Sequence, residues 1–471
     1  MSRPGADDSA SPMDALFGQL PEKDLKKLAA KIELDRTENK YGLPHQAIIS
    51  LMRPYLAAAR APRVYTPQRI LCLPFEDLLV FNDTDPKLVA AVARASIANM
   101  WTWLTEELMV DTYPPLADRY IDAQKDGDES LARTCAAEMW STAADAMLGP
   151  IEAAEGDQNA WSELARKVGG TRRLEDIWEM ARVLRIADAI EDCKEALPPR
   201  PIVTLATENV TSIQRFYQVI EQNHPGQELY LLLVMMKRLY QPFPILKVFR
   251  ALSRKGDDTL MRTTDLAVAG NMVIEALEQD GIAVAEQAKK PDVTEDELVR
   301  KAGRFAAAFK GITTDIGIRR DGEWGQRMYK ARNDVSAVIE RQVLNRAEGV
   351  IMGALPVKRG RIAPLLDSYP DEDDFEKAEE RAEALANTMR IADQIGLASA
   401  CLSTINELKK QLSNLGSQML EAMSKVDEQF IDQATAHLHT LVRLIELIDS
   451  SEEADLLRRR GKAALSHTTV D

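Results

Sequence analysis

Residues 405–426 read INELKKQLSNLGSQMLEAMSKV, and their apolar positions decide how the chain is expected to fold. Six large apolar side chains and one alanine recur at alternating spacings of three and four residues. The positions are Ile405, Leu408, Leu412, Leu415, Met419, Ala422 and Val426. This spacing places them on one face of an α-helix over three heptads. The stretch therefore predicts a long amphipathic helix with a buried seam.

The same seam has two interpretations. It packs against other helices of its own chain, or it pairs with a second copy of the chain. The candidate self-association seam consists of Ile405, Leu408, Leu412, Leu415, Met419 and Val426. Similar spacings precede it at 378–392 and follow it at 430–445, and their phase slips near Gly396. The sequence thus predicts a long C-terminal helical hairpin or coiled-coil-like segment that bends near residue 396.

Outward from this segment, apolar residues three and four apart recur along most of the chain, whereas alternation with a period of two is nearly absent. These patterns predict a mainly α, multi-helix assembly, either a bundle or an irregular α-solenoid. Helices are expected at 86–109 and 172–196. Another is expected at 259–289, where Gly270 and Gly281 indicate either a close helix contact or a break.

Two proline-rich stretches divide the chain. Three prolines at 198–201 stop a helix and mark the clearest boundary, and a second break covers 355–370. The predicted organisation is a disordered polar tail at 1–15, an N-terminal helical domain at 16–198, a central helical domain at 202–355 and the C-terminal long helices at 371–465. The longest apolar run, Leu229–Met236, is far shorter than the ~20 residues that cross a bilayer, so no transmembrane segment is predicted.

Composition narrows the function classes. The 471 residues carry a formal net charge of −15, which disfavours general nucleic-acid binding. Four scattered cysteines form no CxxC pair, which argues against a zinc site or a disulfide framework and favours a reducing compartment. We therefore expect a cytoplasmic protein.

The charge is unevenly distributed. Residues 319–361 hold ten basic and five acidic side chains, whereas residues 371–383 hold eight acidic and two basic ones. These segments are expected to pair, either within one chain or between copies. Alternatively, Arg319, Arg320, Arg327 and Lys330 form an anion pocket for a phosphorylated ligand or an acidic partner, since the planar guanidinium suits such oxygens.

Familiar catalytic motifs are missing from the sequence. It contains neither GxxxxGK[ST] nor GxGxxG, which cradle phosphates, and no GxSxG nucleophile turn. No metal site or cofactor is predicted, the catalytic residues are unknown, and enzymatic activity is left undecided. The leading hypothesis is a cytoplasmic helical scaffold or adaptor that binds proteins and self-associates through its C-terminal helices. The alternative is an enzyme or ligand-responsive regulator of unknown chemistry with an anion-binding patch near 319–330, and peripheral membrane attachment is a third hypothesis.

Overall fold

The computed structural model describes residues 45–58, 65–83, 87–252, 266–290, 294–356 and 364–468, together with isolated positions between 17 and 32. These residues are predominantly helical, which confirms the mainly α, multi-helix assembly. The predicted tail at 1–15 lies outside the described residues.

The helices follow one another with short connections. Up to residue 252 they are α1 His45–Ala58, α2 Pro67–Cys72, α3 Ser96–Trp103, α4 Tyr113–Asp126, α5 Glu129–Ala154, α6 Gln158–Lys167, α7 Thr171–Arg185, α8 Ala187–Glu195, α9 Thr207–Asn223, α10 Glu228–Arg238 and α11 Leu246–Leu252. Beyond it they are α12 Leu266–Gln287, α13 Glu295–Asp315, α14 Glu323–Ile339, α15 Asn345–Gly353, α16 Glu372–Ile395, α17 Ala398–Met423, α18 Ile431–Ile448 and α19 Ser451–Thr468. Short 3₁₀ or π turns lie at 73–78, 104–108, 243–245, 340–344 and 428–430.

Two short parallel strands interrupt the helical pattern, β1 Leu79–Val80 and β2 Val92–Ala93. The helix predicted at 86–109 is therefore wrong in its first part, because α3 begins only at Ser96. Ala90 has a φ of 57°, in the left-handed region, which a right-handed helix does not contain. The Ala90 and Ala93 amides donate to the carboxylates of Glu179 and Asp176 on α7 instead of to helical carbonyls. The predicted helix at 172–196 is also divided, into α7 and α8.

The chain forms two compact units. One comprises residues 1–73 and 111–139, and the other comprises 74–110 and 140–471. In the first unit, α2 packs against α4, and a separate apolar cluster is built from Phe17, Leu25, Ile32, Ile48 and Met52. The domain ranges predicted from the proline-rich stretches stay predictions.

In the second unit, α12 packs closely against α13 and α14. A Cβ atom on Gly270 would lie 2.4 Å from Cη2 of Trp324, which is closer than side chains approach one another. The Trp324 indole N–H donates to Asn271 Oδ1 at 2.7 Å, which fixes the ring against α12. Of the two expectations for Gly270, the structure shows the close helix contact, because α12 runs through this residue without a break.

The C-terminal helices α16 to α19 pack together, and α17 contacts each of the other three. The chain turns between α16 and α17 at Gly396, whose φ of 79° ends α16 in the left-handed conformation that favours glycine. This turn lies where the sequence predicts a bend.

We expect the thermal midpoint of unfolding to fall as the pH is lowered from 7 towards 5, because His437 on α18 is buried as the neutral form. Only 4% of this residue is exposed, and its Nε2 lies 3.0 Å from the carbonyl oxygen of Ser368. Burial lowers the pKa of His437 below its ordinary value of 6.5. The unfolded chain therefore takes up this proton at a higher pH than the folded chain, so the contribution of His437 to stability is present above pH 6.5 and is lost as the pH falls through the folded pKa.

Circular dichroism melts across this pH range measure the effect. The His437→Phe variant should show a shallower dependence of the midpoint on pH than the wild type. Equal slopes for the two proteins would contradict the assignment to His437.

Candidate functional site

Three of the four predicted anion contacts have partners within the chain. Arg319 pairs with Asp321 at 2.8 Å and lowers the pKa of that carboxyl through their hydrogen bond. Arg320 donates to the Tyr329 hydroxyl at 3.2 Å and lies over its ring.

The third, Arg327, forms two hydrogen bonds with the carboxylate of Glu278 on α12, at 3.0 and 2.6 Å, and this pairing raises the pKa of Arg327. Lys330 is exposed. An anion contact at these four residues stays a prediction.

The acidic segment 371–383 has different partners from those expected. Glu379 and Glu383 on α16 both pair with Arg443 of α18, and Arg381 pairs with Glu295 of α13. Among the described residues, none of the ion pairs of this segment involves a basic residue of 319–356.

Four of the six seam residues are buried within the single chain. Leu408, Leu412, Leu415 and Met419 are each 3% exposed or less, and they lie on the helix that packs on α16, α18 and α19. Ile405 and Val426, at the two ends of the seam, are partly exposed. Self-association through this seam stays a prediction, and only its ends offer accessible surface to a second copy.

Ile405 lines an apolar groove of about 300 Å³ between α16, α17 and α18, which we call the α16–α18 groove. Its lining includes Met389 and Leu402, which are 38% and 49% exposed. Lys409 closes one end of the groove and also borders a second depression along α17.

This second depression, the α17–α19 cleft, has a volume of about 350 Å³ and lies between α17, α18 and α19. Its apolar lining comes from Leu412 and Leu420 of α17 and from Leu456 and Leu457 of α19. Leu456 is 43% exposed, so apolar surface remains open to solvent there. Gly416 lies on the same wall, and a Cβ at this position would meet Leu457 at 3.4 Å. A glycine therefore lets α19 approach α17 closely.

The rim of the α17–α19 cleft is charged. Lys409 pairs with Asp449 across the cleft at 2.8 Å, so these two charges offset each other. Lys410 and Arg460 are exposed, and neither forms an ion pair with another described residue. Glu453 is the remaining acidic lining residue. The cleft thus combines an apolar floor with two cations that are available to a partner, in a chain whose net charge is −15.

Sequence reasoning missed this cleft. The run Arg458-Arg459-Arg460-Gly-Lys462 gives a local signal of positive charge, but nothing in the sequence places it beside Lys410, which lies about 50 positions earlier. The apolar lining was visible only as part of the heptad seam, through Leu412.

Two searches of the described residues define what else the structure contains. Within the part of the chain that is described, no group of three or more His, Cys, Asp or Glu side chains is arranged to hold a metal ion. No helix in those residues is both long and apolar enough to cross a membrane.

Comparison with known proteins gives no relative from which a function could be transferred. The chain matches no protein family, no curated protein and no solved structure. Any functional conclusion therefore rests on the geometry of its own surface.

Proposed function

We propose that this protein is a helical scaffold or adaptor, and that the α17–α19 cleft receives an acidic amphipathic segment of a partner protein. The single observation that carries the proposal is the apolar floor of the cleft beside two cations, Lys410 and Arg460, that pair with no other described residue.

The chemistry of the cleft supports this class of partner. Grooves between helices commonly bind an amphipathic segment whose apolar side chains enter the groove. A volume of about 350 Å³ lies at the lower end of the range for pockets that enclose a ligand group, so the cleft suits a few anchoring side chains rather than a whole domain. Lys410 and Arg460 would then select carboxylates on the flanks of that segment, because complementary charges at a rim steer association and fix orientation.

A fluorescein-labelled synthetic helical peptide tests the proposal directly. It carries leucines on one face and glutamates on the flanking positions, and a matched peptide has lysines in place of the glutamates. We expect fluorescence polarisation to show binding of the acidic peptide and not of the basic one. The Lys410→Glu/Arg460→Glu variant should bind the acidic peptide at least about tenfold more weakly, which corresponds to ~1.4 kcal/mol.

The control variant is Lys289→Glu/Lys425→Glu. It changes the net charge by the same amount at two exposed lysines that do not line the cleft. It should bind the acidic peptide like the wild type. Equal weakening in both variants would show only a general charge effect, and failure of the acidic peptide to bind the wild type would overturn the proposal.

A further inference from the structure

The start of α16 presents an acidic surface with an exposed aromatic side chain. Four consecutive acids occupy 371–374, all of them exposed, and Tyr369 just before them is 62% exposed. In this run, Asp374 alone forms an ion pair with a described residue, the exposed Lys377 at 3.4 Å. We call residues 369–374 the acidic segment.

The acidic segment is held in one conformation. Asp371 caps α16 by accepting a hydrogen bond from the Asp374 amide at 3.0 Å. The carbonyl oxygen of Ser368, adjacent to Tyr369, lies 3.0 Å from Nε2 of His437. A segment that is already ordered loses less conformational entropy when it binds.

The acidic segment and the α17–α19 cleft are complementary in charge and in chemistry. The segment offers uncompensated carboxylates and a tyrosine, and the cleft offers Lys410, Arg460 and a leucine-lined floor. Tyrosine is enriched among the anchoring residues of protein interfaces, because its ring fills apolar pockets while its hydroxyl reaches the polar rim.

We infer that the occupant of the α17–α19 cleft is the acidic segment of a second copy of this chain. This inference rests on the proposed function and names the partner. The contact is heterologous, since one copy supplies the segment and the other supplies the cleft. Repetition of such a contact closes into a ring or extends as a filament, depending on the rotation between copies.

Charge reversal tests this pairing in the full-length chain. The segment variant is Glu372→Lys/Asp373→Lys, which leaves the capping residue Asp371 in place, and the cleft variant is Lys410→Glu/Arg460→Glu. Light scattering over a concentration series should show that the wild-type mass rises above 52.5 kDa, the mass of one chain. Each variant alone should stay at 52.5 kDa. Raising the salt concentration should shift the wild type towards the single-chain mass, because salt screens exposed charges.

Mixing the two variants gives the decisive result. The cleft variant retains its acidic segment and the segment variant retains its cleft, so an equimolar mixture should form a complex of twice the single-chain mass that does not extend further. A chain that carries all four substitutions should self-associate again, because the charges are exchanged on both sides. The Lys289→Glu/Lys425→Glu control should assemble like the wild type.

The outcomes separate this inference from the proposed function. A wild-type chain that stays at the single-chain mass, while the cleft still binds the acidic peptide, would overturn the inference and leave the docking function standing. Assembly that persists in the cleft variant, or a mixture that forms no complex, would also overturn it. If the acidic peptide does not bind either, both proposals fail.

Discussion

Asp176→Ala is expected to lower the free energy of unfolding of the larger compact unit by about 3–5 kcal/mol, because it breaks a buried ion pair and leaves the partner charge unpaired. Asp176 lies on α7 and is completely buried. Its carboxylate pairs with the Lys87 ammonium group and accepts hydrogen bonds from the Ser96 hydroxyl and, at 3.2 Å, from the Ala93 amide. Removing the carboxylate leaves these three donors without this acceptor.

The surrounding residues make compensation difficult. Glu179, one turn further along α7, also contacts Lys87, at 3.3 Å. Burial raises the pKa of Glu179, although the neighbouring Lys87 charge opposes that shift. Glu179 is therefore a poorer counter-ion for Lys87 than Asp176.

Urea titration followed by circular dichroism measures the loss. Asp176→Asn should cost less than Asp176→Ala, because the amide oxygen still accepts from Ala93 and Ser96 while the charge is lost. The matched control is Asp122→Ala, which removes an exposed aspartate that pairs with Lys125 on α4 at 3.0 Å. Exposed pairs contribute little, so this control should unfold like the wild type. Comparable losses for Asp176→Ala and Asp122→Ala would contradict the role of the buried pair.

The same cluster explains why the sequence misplaced the region before α3. Local spacing favoured a helix from residue 86, since periodicity reports only neighbours along the chain. The conformation of residues 87–95 depends instead on Asp176 and Glu179, which lie more than 80 positions away and accept the Ala93 and Ala90 amides. Tertiary hydrogen bonds of this kind override local propensity, and no window of the sequence contains both partners.

Long-range pairing also separates what was predictable from what was not at the surface. The seam from Ile405 to Val426 was read correctly as a helical face, because helix periodicity is a local property. The partners of the basic residues were not readable. Arg327 pairs with Glu278, 49 positions away on α12, rather than with the acidic segment that follows it in the sequence. Charge counts along a chain therefore locate excess charge, but the fold decides which charges remain available.

Arg381→Ala is expected to destabilise the larger unit by a similar amount, about 3–5 kcal/mol, because Arg381 is a buried cation with specific acceptors. It lies on α16 with 5% of its surface exposed. Its guanidinium group pairs with Glu295 at the start of α13. It also donates to the backbone carbonyl oxygens of Gln342 and Val343, in the π turn between α14 and α15. One side chain thus links α16 to α13 and to the end of α14.

The electrostatics of the pair indicate a large desolvation cost on both sides. Burial lowers the pKa of Arg381 and raises the pKa of Glu295, even though each charge favours ionisation of the other. A pair of this kind stabilises the fold only while both partners are present, because either charge alone is buried without compensation. Arg381→Leu combined with Glu295→Leu should therefore recover part of the stability that Arg381→Ala loses.

Two measurements check this expectation. Urea titration gives the free energy of unfolding, and hydrogen exchange of the α16 amides should accelerate in Arg381→Ala, because the contacts of α16 with α13 and the π turn are weakened. The control is Lys377→Ala on the same helix, whose exposed side chain pairs with Asp374 at 3.4 Å. It should leave both readouts unchanged. Unchanged exchange in Arg381→Ala would show that apolar packing alone holds α16 in place, and a double leucine variant less stable than Arg381→Ala would show that the ion pair stabilises the fold beyond its desolvation cost.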